Sequence, residues 1–487
     1  MTRASLVLLS GVLLALPMQA FDPDAWNAEQ PEQPGVIVVR GATIWTAADD
    51  VSPEDAVLEN ADLLIRAGVI EAIGQNLQVP SDAVEIDGTG KHVTPGLIDA
   101  HSHTAASGGL NEGSNNVTSE VRVADVLNPE DVNLYRQLAG GLTIANVLHG
   151  SANAIGGQNA VIKLRWGLEA DGLLMQEAPQ GIKFALGENP KRSNFRAPEP
   201  RYPTTRQGVE KSIREAFEAA IDYRDAHQAH NRALKMGKKN LVPPQRDFQL
   251  EALVEIMDGT RLVHAHSYRA DEILMLMEVA EDYGFTVATF QHVLEGYKVA
   301  DELAASGSGA SSFSDWWAYK YEVIDAIPHN GAIMWDRDVL VSFNSDSGEL
   351  ARRLNLEAAK AVRWGGVPEV EALKFVTLNP AKQLQIDKWV GSLEPGKHGD
   401  FVIWSGHPLS TYSRVEQTWV DGRKYFDRQT DLEARETIAA ERQALLQEVR
   451  DSGDERAEDA EDTEPDPEDV DRIVDSYHGH PHQESGR

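Results

Sequence analysis

The chain has 487 residues, 45 Lys and Arg against 77 Asp and Glu, and no cysteine. A net charge of −32 argues against non-specific nucleic-acid binding or docking on anionic lipid, because both need a basic face. The missing cysteine excludes disulfides, thiolate metal sites and a cysteine nucleophile, so any metal must be held by His, carboxylate or a modified Lys.

The N-terminus opens with Met1-Thr-Arg3, an apolar run over residues 5–16, and Pro17-Met18-Gln19-Ala20. That three-part pattern predicts a signal peptide over 1–20, cleaved after Ala20, and an exported protein of the periplasm or the extracellular space. The run is too short to span a bilayer, so no membrane partner is expected after cleavage. Residues 35–92 carry short β-branched runs such as Val36-Ile-Val-Val39, separated by Gly, Asn and Asp turns, and are expected to be strands.

Val93-Thr-Pro-Gly-Leu-Ile-Asp-Ala-His101-Ser-His103 follows. On a strand, positions i and i+2 share a face, so both imidazoles can reach one ion. From there to about 382, strand-like runs alternate with helical patterns, which is the signature of a parallel α/β barrel. A basic stretch, about 189–244, interrupts the alternation and reads as a helical insertion: either a solvated excursion or a cap over the site, with Arg192 and Arg196 facing an anionic substrate. Strands return over 383–428, and the two flanks can pair into one small β domain. Residues 429–450 have helix formers at amphipathic spacing. Residues 429–487 hold 19 acids and 6 bases; 451–475 alone hold 13 acids and 2 bases. The tail, 451–487, is expected to be disordered for lack of apolar surface. Its His478, His480 and His482 either gather metal or are incidental.

Pro95-Gly-Leu-Ile-Asp-Ala-His101-Ser-His103, Gly141-Leu-Thr-Ile-Ala, Ser151-Ala-Asn-Ala-Ile-Gly-Gly157-Gln, Thr377-Leu-Asn-Pro-Ala381 and Gly391-Ser-Leu-Glu-Pro-Gly-Lys-His-Gly-Asp-Phe-Val402 together resemble the amidohydrolase superfamily, nearest to its imidazolonepropionase-like and prolidase-like branch. The resemblance implies a (β/α)8 TIM-like barrel over 93–382. A small β-sandwich domain would come from the flanks 35–92 and 383–428. It implies His101 and His103 as first-strand ligands. Lys183 matches the lysine that binuclear members carbamylate as a metal bridge, with Glu188 as its rival. His264 matches the fifth-strand ligand, with His266 able to replace it. His292 matches the sixth-strand histidine, and Asp346 the aspartate closing the last strand.

These ligand types suit one or two divalent ions, zinc first. The implied enzyme hydrolyses a C–N bond in a small molecule (an amide, dipeptide, N-acyl amino acid or cyclic amide) through a metal-activated water. Asp346 is the expected general base, and His266 or His292 the expected oxyanion donor. A mononuclear deaminase of the same fold is the alternative, with Asp271 and Glu272 following the fifth-strand pair; a non-catalytic binding barrel is a further one. No nucleic-acid partner is expected, and the oligomeric state is open.

Overall fold

The computed structural model describes residues 30–49, 51–52, 56–106, 109–193, 201–316 and 319–451. The expected signal peptide, Arg196 and the tail from 452 onward lie outside the described residues, as does the side chain of Arg192.

Strands from both flanks form one eight-stranded sheet. Its N-terminal members are β1 (Val36–Trp45), β2 (Val57–Arg66), β3 (Val69–Gly74), β4 (Val84–Asp87) and β5 (His92–Pro95). β5 lies between β1 and a strand contributed by the far end of the chain. Alternation is visible in β1, where Ile37, Val39, Ala42 and Ile44 fill a core shared with Leu63, Ile65, Phe401 and Trp419.

After β5 the chain runs through Gly96 into β6 (Leu97–Ser102). Only glycine fits there, because a Cβ at Gly96 would run into the Thr143 side chain. β6 pairs in parallel with β7 (Leu142–Val147), preceded by helix α1 (Val132–Leu138). Next come β8 (Ile155–Gln158) and β9 (Ala160–Lys163), separated by Asn159 alone. β9 is antiparallel to β7 and β8 antiparallel to β10 (Gln180–Ala185), so residues 155–163 act as one reversed stave between two forward strands. The short helix α2 (Ala170–Leu173) leads into β10.

From β10 the alternation is regular. Helices α3 (Arg206–Lys235) and α4 (Phe248–Met257) precede β11 (Arg261–Ser267). α5 (Ala270–Tyr283) leads to β12 (Val287–His292), α6 (Ala300–Ser306) to β13 (Gly309–Ser312), and α7 (Asn330–Asp336) to β14 (Val341–Phe343). β10 to β14 pair in parallel in chain order. Beyond β14, Ser347 bridges Ser102 at the end of β6, and Ile98 N donates to Val376 O at 2.9 Å. Helices α8 (Leu354–Gly365), α9 (Glu369–Lys374) and α10 (Leu378–Gln383) complete this layer. On β10 the period-2 rule separates two jobs. Ile182, Phe184 and Leu186 join the apolar core around Phe217 of α3, while Lys183 belongs to the opposite face.

β15 (Phe401–Trp404), β16 (Val415–Val420) and β17 (Arg423–Asp427) return to the first sheet, β15 pairing β5 with Ile403 opposite Val93. α11 (Arg428–Asp451) follows, held at its start by Tyr135 Oη on Asp431 Oδ1 at 3.1 Å. No helix among the described residues is long and apolar enough to cross a membrane.

Candidate metal centre

The ends of β6, β12 and β14 bring three groups together. His101 and His292 are fully buried, and Asp346 is partly exposed. One ligand atom from each lies within 4.8 Å of the others, so this trio can hold a metal ion. Asp346 Oδ1 is 3.1 Å from His101 Nε2 and 2.7 Å from His103 Nε2; Oδ2 is 3.6 Å from His292 Nε2. The rings of His101 and His292 stack at 4.9 Å.

The backbone is bent to achieve this. Asp346 has φ +45°, His292 +65° and Val293 +42°. Left-handed conformations cost non-glycine residues on the order of 1–3 kcal/mol each and collect at functional sites. Asp346 N donates to His101 O at 2.9 Å, and Val293 N to Ser267 O at 2.9 Å. Asn330 Nδ2 holds Val293 O at 3.0 Å.

Burial sets the charge states. It drives the His101 and His266 imidazoles well below their usual range, and lowers His292 and His264 to about 3. Neutral imidazole is the ligating form. Burial opposes the charge of Asp346, but its close contacts with His101 and His292 and its hydrogen bond with His103 hold the carboxyl well below the usual range. Both nitrogens of His266 and His292 are buried without a hydrogen-bond partner, as is His101 Nδ1. Neutral buried imidazoles around one carboxylate are a donor set that fits a divalent transition metal.

The rival candidates of the sequence sit in different surroundings. Lys183 is fully buried with Nζ 3.2 Å from His101 Nε2 and 3.2 Å from His149 O. Desolvation lowers its amine to about 8. Glu188 follows Gly187, at φ +76°, and pairs with Lys320 at 3.2 Å; it is not among the three groups whose ligand atoms lie within 4.8 Å of one another. Of the fifth-strand pair, His266 lies against His292. His266 and His292 have ring centres 4.7 Å apart. His264 sits one layer lower, where its Nε2 would lie 3.0 Å from a Cβ on Gly181. Both histidines share a strand face; depth along the barrel divides them.

Three residues near the site carried no sequence assignment. Asp99 is buried on β6 and accepts from Ser345 Oγ at 2.5 Å, Ser345 N at 3.0 Å and His101 N at 3.2 Å. Burial pushes its carboxyl up to about 7. His149 accepts from Glu112 N at 2.9 Å, and its Nδ1 faces Gly150 O at 2.8 Å. Gly156 and Gly157 leave its ring room, since a Cβ at either would approach it within 2.9 Å. Tyr268 rests on His266 at 4.5 Å and receives the Tyr319 hydroxyl at 2.9 Å. Strand alternation places Tyr268 on the same face as His266, the one signal that could have found it.

A model of the amidohydrolase family matches residues 323–425. A solved amidohydrolase from Thermotoga maritima MSB8 is 32% identical, with a TM-score of 0.72, over 80% of this chain and all of that one. The chain belongs to the amidohydrolase superfamily, a group of carbon–nitrogen hydrolases. The superposition gives it a TIM-barrel-like α/β fold. The amidohydrolase tasK of Hapsidospora irregularis is 30% identical over 80% of this chain; the match spans 43% of that relative's length. Imidazolonepropionase of Acinetobacter baumannii is 25% identical over 72% of this chain and 89% of its own. Among the described residues, the trio His101, His292 and Asp346 could hold a metal ion.

Proposed function

We propose that the chain is a metal-dependent amidohydrolase that cleaves a carbon–nitrogen bond of an amide, dipeptide, N-acyl amino acid or cyclic amide. The observation that carries this reading is the convergence of His101, His103, His292 and Asp346 with Lys183 in one buried cluster. His101, His103, His266, His292 and Asp346 would hold one or two divalent ions, zinc by donor type. A bound ion of that kind supplies Lewis acidity, activating water and polarising the scissile carbonyl.

The chain's own groups do the rest. Asp346, held ionised, accepts a proton from the attacking water at a carboxylate oxygen and returns it to the leaving amine. His266 or His292, whichever nitrogen is left without a metal, donates to the developing oxyanion. Lys183, with its amine lowered to about 8, holds a neutral fraction at neutral pH that can add CO2. That addition releases one proton to solvent and would give a carbamate, a carboxylate-like ligand for the divalent ions. The deaminase alternative needs a free acid after the fifth strand. Asp271 is paired with Arg269 at 2.9 Å and Glu272 with Arg206 at 2.5 Å, so neither supports it.

The same reading includes a barrel of eight staves over 93–382 and a sandwich-like β domain from 35–92 and 383–428. It also includes export, with the leader removed after Ala20. Metal analysis with a screen of N-acyl amino acids, dipeptides and lactams tests the activity. Bound metal with release of an amine and a carboxylate supports hydrolysis; one metal with release of ammonia from a heterocycle overturns it. N-terminal sequencing of secreted protein tests export, which fails if Met1 is retained.

A further inference from the structure

Helix α3 is longer than the surface that packs against it. Its buried positions end at Ala220, and it is tied to α4 by Tyr223 Oη on Glu251 at 3.2 Å and by Arg224 on Met257. From Tyr223 it runs on to Lys235, an overhang of about 18 Å. The helix closes with a defined cap: Gly237, at φ +77°, takes the left-handed turn, and Lys238 N donates to Ala233 O at 3.1 Å. At this apex Leu234 is 50% exposed, Met236 77% and Val242 87%.

The charge around them has one sign. Residues 226–245 include Arg232, Lys235, Lys238 and Lys239 and no Asp or Glu, in a chain whose net charge is −32. All four side chains are exposed, and among the described residues none has a carboxylate partner. Charges in physiological salt are screened over about 8 Å, so the overhang sets the apex about two screening lengths beyond the tie at Tyr223. The acidity of the whole chain, which argues against binding to anionic surfaces, therefore does not govern this tip.

Ordinary helix chemistry explains part of this pattern. Arg232 and Lys235 sit in the last turn, where the helix dipole favours cations. Lys238 and Lys239 lie past the helix, and the dipole does not call for three large apolar side chains at its outermost point. Cations interleaved with apolar groups on a convex end match an anionic bilayer: its phosphates meet the charges, and the apolar groups enter the boundary between headgroups and chains. A stable protein partner buries about 800 Å² on each side, more than one hairpin end offers. A single-stranded nucleic acid calls for stacking aromatics, and residues 226–245 hold no Phe, Tyr or Trp.

We propose that the tip of the α3–α4 hairpin docks on an anionic lipid bilayer. Leu234, Met236 and Val242 enter the headgroup layer, and Arg232, Lys235, Lys238 and Lys239 lie over lipid phosphates. The contact is peripheral and salt-sensitive, and it holds the barrel beside a membrane without a spanning segment.

Co-sedimentation of the full-length protein with vesicles tests it. Mixing phosphatidylglycerol into phosphatidylcholine vesicles should raise partitioning by about tenfold or more. Each charge removed should weaken that partitioning about fivefold, so Lys235→Gln with Lys238→Gln and Lys239→Gln should weaken it about 100-fold. Met236→Ser with Val242→Ser keeps the charges and should weaken it roughly tenfold. The chain has no cysteine, so Met236→Cys gives a single labelling site. A polarity-sensitive dye there should brighten and shift to the blue on the mixed vesicles. The same dye on Tyr412→Cys, a position 90% exposed on another loop, should not respond. No gain from phosphatidylglycerol, a gain unchanged by both multiple variants, or an equal dye response at the two positions overturns the proposal. So does self-association that depends on Met236 without vesicle binding, which would make the tip a contact between copies of the chain.

Discussion

Asp99 and Ser345, 246 positions apart, are joined by two hydrogen bonds: Ser345 Oγ to Oδ2 at 2.5 Å and Ser345 N to Oδ1 at 3.0 Å. Asp99 also receives His101 N, so one buried carboxyl fixes the strand that bears His101 and the residue preceding Asp346. Ser345→Ala removes the shorter bond and leaves a buried oxygen unpaired. The expected result is a stability loss of about 1–3 kcal/mol by urea titration. A fall of roughly 10–100-fold in metal affinity or kcat should accompany it, as for supports behind ligands elsewhere. Unchanged kcat would show that Asp346 keeps its place without this support.

Asp346→Asn keeps shape and removes the charge. Loss of a positioned general base costs about 10^2–10^4 in rate. We expect kcat to fall by that amount with far-UV circular dichroism unchanged and metal content near normal by elemental analysis. Full activity in this variant would assign proton transfer to another group.

Much of this site is readable along the chain, and the remainder fails for a physical reason. Strand alternation alone puts His101 and His103 on one face, and the order of the later residues follows the barrel. Periodicity gives the face of a residue but not its depth, so His264 and His266 are equivalent by that criterion. Gly181, which leaves room for the His264 ring below the site, is what separates them. Glu188 turns on the φ of Gly187, a property of a folded turn. The reversed stave at 155–163 is hidden because its apolar run reads the same in either direction. Asp99 and His149 act through partners remote in sequence, so no local pattern marks them.

The buried His149 makes stability depend on pH. Desolvation lowers its folded pKa to about 4, against about 6.5 for the free side chain. Above pH 6.5 neither state binds the proton and the full stability is present. Between 6.5 and 4 the unfolded chain is protonated and the folded one is not, so stability falls with acid, by about 1.4 kcal/mol per pH unit for this group. Denaturant titrations of metal-free protein at pH 7.5 and 5.5 should show the loss. His149→Gln should reduce its slope by one proton.

Lys163, at the end of β9, is fully buried, with Nζ 2.9 Å from Asp400, 2.5 Å from Asp421 and 2.9 Å from His398 Nδ1. It ties the reversed stave to the sheet built from both flanks. Lys163→Met strands two carboxylates, and breaking a buried pair in this way costs about 3–5 kcal/mol. Calorimetry should record a clear drop in unfolding temperature, largely restored when Asp400→Asn and Asp421→Asn are added. A single variant as stable as the parent would show that water replaces the amine.

The passage of β5 through Gly96 into β6 has a consequence for biosynthesis. The strand leading into His101 is paired on one side by β15, made some three hundred residues later. A ribosome that has delivered every residue of the proposed metal centre has therefore still not delivered the strand that pairs beside the first of them. Assembly of the centre must wait for the last strands to emerge, so nascent chains halted before Phe401 should bind no metal at this site.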